Sequence, residues 1–505
     1  MSRPNAEPLS SLEDATRYLD GLINRERSSD YAYARLDLRP IEALLEAIGH
    51  PHERLSVVHV AGSKGKGSTC LFTEAILGAL GERVGTFTSP HLESWIERFR
   101  IAGREVDATR LVAAVERVRP AVDVLRAGPP ETQPSFFDVT TAIAFLLFAE
   151  AGVDRAVIEV GLGGRLDSTN VVRPAVTCIT SIELEHTDKL GSTEAAIAGE
   201  KAGILKSGVP AVLGRLGAEA EAVIRRRAAE VGAPVCALGE AFEVRGAVAS
   251  PGTIGQSFRF ESGDGDAFDV SLPLLGEAAV ANAGLAIACV RALEAYSPDR
   301  VRAAAARGLA RAVLPGRIEI LSNDPAVLID AAHTERSARV LARALASLAP
   351  DGSVLLFSIS SDKNVEGVLA ALLPSATRIW LTRSDRQRSV DPAHLAERVR
   401  HHRPGLPIDI VDDPVAAARR GRHWGPASAW SWSARSIWRG PRGGRSERRV
   451  PKMKRPSWLL ARSCEGRGSQ PGREKGGPLL EDAPYLDWDR AIAVPSRGEN
   501  TLSDF

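Results

Sequence analysis

Nine residues, Ala61–Thr69 (AGSKGKGST), place three glycines, two lysines and a Ser-Thr pair between an apolar run and an amphipathic one. Glycine at 62, 65 and 67 permits positive φ, which lets backbone N–H groups turn toward one point. Ser68 and Thr69 open the following helix, whose positive dipole end faces the same point. Lys66 adds a charge within reach of β- and γ-phosphates, and Ser63 and Lys64 complete the loop. Residues 62–69 therefore read as a phosphate cradle in which Ser68 or Thr69 can ligate Mg²⁺. The spacing G-x-x-G-K-G-S-T only half matches the usual G-x-x-x-x-G-K-[ST]. A ligand-free turn is the alternative.

Glu159 lies inside an apolar strand-like run, AVIEVGLGGRLDSTN, and a buried carboxylate needs a partner, of which a metal ion is the simplest. ITSIELEHTDKLG repeats the pattern, with Glu185 and His186 at the end of a strand, and TFTSPHL puts Ser89 and His91 at another. AIAGEKAGILK sets Lys201 on a helix. Ligands of open α/β sheets bind at the carboxyl edge of the strands, where Ser89, Glu159 and His186 all fall. A strand-end histidine that is merely hydrogen bonded remains the plainer reading of His186.

The elements that must hold these residues alternate. LSVVHVA, RVGTFT, DRAVIEV, PAVTCITSI and PAVLG read as buried strands, separated by helical segments such as 68–80 and 137–151. This implies an α/β fold with βαβ units and a mostly parallel sheet. Residues 241–275 alternate more finely and suggest a small antiparallel portion. Pro315-Gly316 punctuates a hinge. Beyond it AVLID, SVLLFSIS, TRIWLT and PIDIV are strands, with helices at 336–348, 365–373 and 392–400. The expected organisation is an ATP-binding region over 1–314, a smaller Rossmann-like α/β region over 315–420, and an irregular tail over 421–505.

These motifs, with EKAGILK, LPGRIE and DAAHT, resemble the folylpolyglutamate synthase / dihydrofolate synthase family of the Mur ligase superfamily, from about Tyr18 to Arg420. GLGGRLDSTN sets it apart from Mur ligases proper. The resemblance implies an ATP-dependent amide ligase. A carboxylate of dihydropteroate or of a reduced folate is phosphorylated by ATP, and the amine of L-glutamate attacks the acyl phosphate. It implies that Lys66 and the loop bind phosphates, that Ser68, Ser89 and Glu159 surround one Mg²⁺, and that Glu159, His186 and Lys201 hold a second, with Lys201 carbamylated. It assigns Asn282 to the adenine and places Arg317 and Asp330, on the C-terminal region, over the nucleotide. Catalytic roles fall to Lys66, His186, Lys201 and Arg317. Another Mur-type amino-acid ligase, or an ATP-binding but inactive homologue, are the competing readings. Lys64 stands where the family usually has Asn, and Glu185 where it usually has Asp.

The 505 residues carry a formal net charge of +1, so no global field favours nucleic acid or an anionic membrane. No apolar run reaches the ~20 residues of a membrane span. Five scattered cysteines without metal spacing read as reduced thiols. A monomer in the cytoplasm, acting on small molecules, is expected. From Gly421 the text turns rich in Trp, Arg, Gly and Ser, with no surviving period. Shifting the frame by two nucleotides permits an aliphatic strand and a Gly-Ser turn there, so a reading-frame error between Ala418 and Trp424 is expected, against a genuine tail. The α/β region before it would then lack its last strand.

Overall fold

An eight-stranded sheet is built from β1 (Val57–Ala61), β2 (Val84–Phe87), β3 (Phe99–Ile101), β4 (Arg104–Glu105), β5 (Arg155–Glu159), β6 (Pro174–Ile179), β7 (Ala211–Leu213) and β8 (Val235–Ala237), in the order β4-β3-β2-β5-β1-β6-β7-β8. The computed structural model describes residues 8–23, 37–92, 94–249, 255–323, 326–385 and 388–421; the frame-shift and missing-strand expectations fall on residues outside these from 422 onward. Six strands run parallel, and only β3 and β4 turn antiparallel at one edge. β1 lies between β5 and β6, with Val58 beside Val157 and Val176. All five β1 residues are buried. A strand covered on both faces is apolar throughout rather than alternating, which is how LSVVHVA reads.

Helices cover both faces. α1 (Leu12–Asp20), α2 (Arg39–Ala47), α4 (Ala108–Arg126) and α5 (Phe136–Ala151) join one face through Phe87, Phe99, Phe145 and Ile158, while α3 (Lys66–Ala79) belongs to the other. α5 is nearly all apolar because it is buried all round. Its start is fixed by a Ser135/Asp138 capping box and its end by Gly152 at φ 58°. α6 (Thr187–Leu190), α7 (Glu194–Lys201) and α8 (Ala218–Val231) follow β6 and β7.

An antiparallel sheet of β9 (Phe242–Ala249), β10 (Gln256–Ser262) and β11 (Ala267–Leu272) occupies the stretch expected to alternate finely. α9 (Glu277–Ala292) and α10 (Pro298–Leu309) then return to pack with α3 on the second face, around Phe72, Cys178, Phe258 and Cys289. The remaining chain forms a hairpin, β12 (Glu319–Asn323) with β13 (Ala326–Ile329), and a parallel sheet of β14 (Ser353–Phe357), β15 (Ala376–Leu381) and β16 (Ile408–Ile410). With α11 (Glu335–Leu348), α12 (Val365–Leu372), α13 (Pro392–His402) and α14 (Pro414–Gly421), this region closes its own core around Leu355, Phe357, Leu369 and Leu395. The fold is the expected α/β class; the hairpin partner β12 is an addition, formed where the residues after Pro315-Gly316 read only as a hinge.

Candidate active site

The glycine loop leaves the carboxyl end of β1 and enters α3 through Gly65 at φ 86°. A Cβ there would lie 2.4 Å from Asn282 Oδ1, so only glycine lets α9 bring that amide against the loop. Gly62 is equally constrained: at φ 144°, its Cβ would lie 2.0 Å from Thr180 Oγ1. The loop is laced to the segment after β6. Ser63 N–H donates to Ser181 O at 2.8 Å, Lys64 N–H to Ser181 Oγ at 2.9 Å, and Thr180 Oγ1 to Lys64 O at 2.6 Å. The Ser63 hydroxyl donates to Glu183 O at 3.1 Å and accepts its N–H at 2.9 Å. Ser63 and Lys64 therefore shape the loop with their amides. The N–H groups that open α3, from Lys66 to Ser68, form its anion-facing end.

Charged side chains gather at this mouth. Lys66 Nζ donates to Gly62 O at 3.0 Å and Lys201 Nζ to the same carbonyl at 2.9 Å. Glu185 bridges Lys201 at 3.2 Å and Lys64 at 3.2 Å. Lys66, Glu185, His186 and Lys201 line one small cleft with Gly62 and Val160–Gly163. Lys201 is 2% exposed. Burial, reinforced by Lys66, lowers its pKa to about 8 against the pull of Glu185. Burial also lowers the His186 imidazole, which favours the neutral ring. For Glu185 burial acts upward, but Lys201, Lys66 and Lys64 outweigh it and the net shift is downward.

Glu159 ends β5 beside β1 and accepts the Ser89 N–H at 2.9 Å. A Cβ on Gly67 would approach its Oε2 to 3.2 Å, so the carboxylate sits against the first turn of α3. The Thr69 hydroxyl is buried with no hydrogen-bond partner among the described residues. A separate group with metal-ligating atoms, His50, His52 and Glu53, lies in the turn before β1 and shares nothing with this set.

The GLGGRLDSTN loop is held from below and from the side. Asp167 is buried, accepts the Leu162 N–H at 2.9 Å, and is bonded to Thr169, whose hydroxyl meets His59 Nε2 at 2.9 Å. Burial raises Asp167 to about 6 and lowers His59 to about 3. Arg165 forks onto Glu200 of α7 at 2.9 and 3.1 Å, one residue before Lys201. The Thr180–Ser181 lacing was missed in the sequence; its signal was a Thr-Ser pair closing an otherwise apolar strand.

The C-terminal candidates have partners of their own. Arg317 is exposed. Asp330 is buried and accepts Ile318 N–H at 2.8 Å and Ala332 N–H at 2.7 Å, pinning the turn after Gly316. Burial raises its pKa and Arg317 opposes this. His333 bonds Ala331 O through Nδ1 at 3.0 Å. None of these three has a hydrogen bond to the glycine loop among those described.

A parallel sheet that feeds a glycine loop into a helix beside clustered Lys, Glu and His residues is the arrangement of a Mur-type ligase. The Mur ligase middle domain matches residues 60–290, and the Mur ligase glutamate ligase domain residues 316–424. The dihydrofolate synthase/folylpolyglutamate synthase of Mycobacterium tuberculosis is 37% identical over 71% of this chain and 76% of its own length. A probable bifunctional folylpolyglutamate synthase/dihydropteroate synthase of Haloferax volcanii is 37% identical over 70% of this chain, which spans 42% of that longer protein. The Mycobacterium tuberculosis folylpolyglutamate synthase solved with ADP and AMPPCP superposes with a TM-score of 0.70 at 32% identity, covering 84% of this chain and 95% of that one. The chain belongs to the folylpolyglutamate synthase/dihydrofolate synthase family of ligases.

Proposed function

We propose that this chain is an ATP-dependent amide ligase that adds L-glutamate to dihydropteroate, to the glutamate tail of reduced folates, or to both, through an acyl phosphate. The observation that carries the reading is the convergence of Lys66 and Lys201 on the Gly62 carbonyl, at 3.0 and 2.9 Å, in front of the N-terminus of α3. The Lys66 amine and the helix dipole at one point favour the terminal phosphates of a nucleotide, and Lys201 stands beside them. Lys66 would stay beside the transferring phosphoryl group and stabilise its charge. Asn282, held on Gly65, would meet the adenine side.

The donor set fits Mg²⁺. Glu159 and the hydroxyls of Ser68 and Ser89 are hard oxygen ligands, Gly67 admits the carboxylate to the helix start, and the Thr69 hydroxyl lacks a partner among the described residues. The bound ion would neutralise phosphate charge. Lys201 as an ammonium would repel a second cation. Its depressed pKa leaves about a tenth of it as free amine at pH 7, the form that adds CO₂ to give an anionic carbamate and one released proton. Neutral His186 has a lone pair for the same ion. Arg317 and Asp330 would approach the nucleotide by closure about Pro315-Gly316. The reading includes a cytoplasmic monomer; no described helix is long and apolar enough to cross a membrane.

Phosphate release by purified protein, supplied with ATP, Mg²⁺ and L-glutamate, tests the proposal. Turnover that requires dihydropteroate or tetrahydrofolate supports it and selects the substrate. ATP binding without turnover on either pterin would replace it with the inactive-homologue reading.

A further inference from the structure

A second cleft opens at the far end of α3 from the glycine loop. It encloses about 640 Å³ between the later turns of α3, the β3–β4 turn, the end of α10 and residues 311–313. That volume suits a small molecule. Small residues keep it open: a Cβ on Gly78 would meet nothing within 4 Å, and the same holds at Gly103. One edge is rigid, because a Cβ on Gly308 of α10 would strike Ala75 O of α3 at 2.4 Å.

The charges in this cleft do not cancel. Glu74 is paired with Arg100 at 3.0 Å. Glu82 is paired with Arg155 at 2.9 Å and takes the Tyr296 hydroxyl. Arg307 bonds the Ala79 carbonyl at 3.0 Å, a neutral partner, and Arg311 makes no ion pair among the described residues. Two guanidinium groups therefore stand uncompensated on one rim. The C-terminal ends of α3 and α10 together offset about one unit of that charge, roughly half a unit each. About one positive charge remains above an apolar trough.

We propose that this cleft binds a small amphipathic anion, an aromatic or acyl group ending in a carboxylate or phosphate, at a site separate from the glycine loop. Its apolar part would lie along Ala75, Gly78 and Ala312, and its charge would meet Arg307 and Arg311. Residues 311–313 lead directly into the Leu314–Arg317 turn, whose next residue, Ile318, is held by Asp330. Occupancy would thus restrain the segment joining the two α/β regions. The inference does not depend on the ligase reaction.

Fluorescence titration of the full chain with 8-anilinonaphthalene-1-sulfonate, an apolar ring system with one anionic group, tests it. One saturable site is expected, with affinity unchanged by saturating AMPPCP. Gly78→Leu fills the trough with a better helix former and is expected to weaken binding about tenfold. Arg311→Glu is expected to weaken it about fivefold. Both variants should retain the parent's melting transition and AMPPCP affinity. Displacement of the probe by octanoate or by phenyl phosphate supports the site and tells the two anion types apart. No saturable binding, displacement by AMPPCP, displacement by neither anion, or unchanged affinity in both variants would overturn it.

Discussion

At its N-terminal end α3 begins from Gly65, whose left-handed backbone and contact with Asn282 leave no place for a Cβ; thirteen positions along, Gly78 faces open space. The charges differ as the glycines do. At the loop, Lys64 and Lys201 share Glu185, and Lys201 and Lys66 share one carbonyl. At the far end, Arg307 and Arg311 have no carboxylate partner among the described residues. Glycine thus serves one helix in two ways, by admitting a close approach and by vacating volume. Lys201 is buried among other cations and loses proton affinity, whereas the arginines are exposed.

The sharpest break of this contrast is Lys66→Ala. It should lower phosphate release by about a thousandfold, while Arg311→Glu should leave it unchanged. Stability against pH comes next. The Lys201 amine has a folded pKa of about 8 against 10.5 unfolded, so the native state releases its proton first. Its contribution is complete above pH 10.5 and is lost as pH falls through about 8, a span of up to about 3 kcal/mol. Urea denaturation in CO₂-free buffer should therefore show a rise between pH 8 and 10 that is absent in Lys201→Met and intact in Arg311→Glu.

Gly65→Ala should follow. Strain at a positive φ costs about 1–3 kcal/mol, and the contact with Asn282 adds to it. AMPPCP affinity, measured by calorimetry, should fall about tenfold or more, and Asn282→Gly in the same chain should recover part of the loss. The smallest effect belongs to Gly78→Ala, which should stabilise the protein by about 0.5–1 kcal/mol in thermal melts and leave nucleotide affinity alone. Equal losses at 65 and 78 would dissolve the comparison.

Much of the first end of α3 could be read from residues in order. The apolar run, the glycines and the Ser-Thr pair are contiguous, and a strand buried on both faces has no alternation to obscure it. Lys201 and His186 were legible because charged groups interrupt apolar text. The meeting of Asn282 with Gly65 depends on how α9 packs on α3, which local pattern does not encode. The same is true of Ser181 beneath Lys64. β8 escaped notice because it is only three residues long, and β12 because it follows directly on the Pro315-Gly316 punctuation. The cleft beside Gly78 left no mark at all, since a small residue looks the same whether it is covered or not. Roles for Arg317 and Asp330 came from family likeness alone; locally, Asp330 organises its own turn.

The central position of β1 has a consequence for how the chain assembles. Its two neighbours, β5 and β6, are made only after another hundred or so residues have been synthesised. Until then a strand that ends fully buried has both edges unpaired, and premature pairing with another chain competes with the correct one. Yield in a cell should consequently respond to chaperone supply and to the pace of translation between residues 61 and 179 more than to anything beyond them.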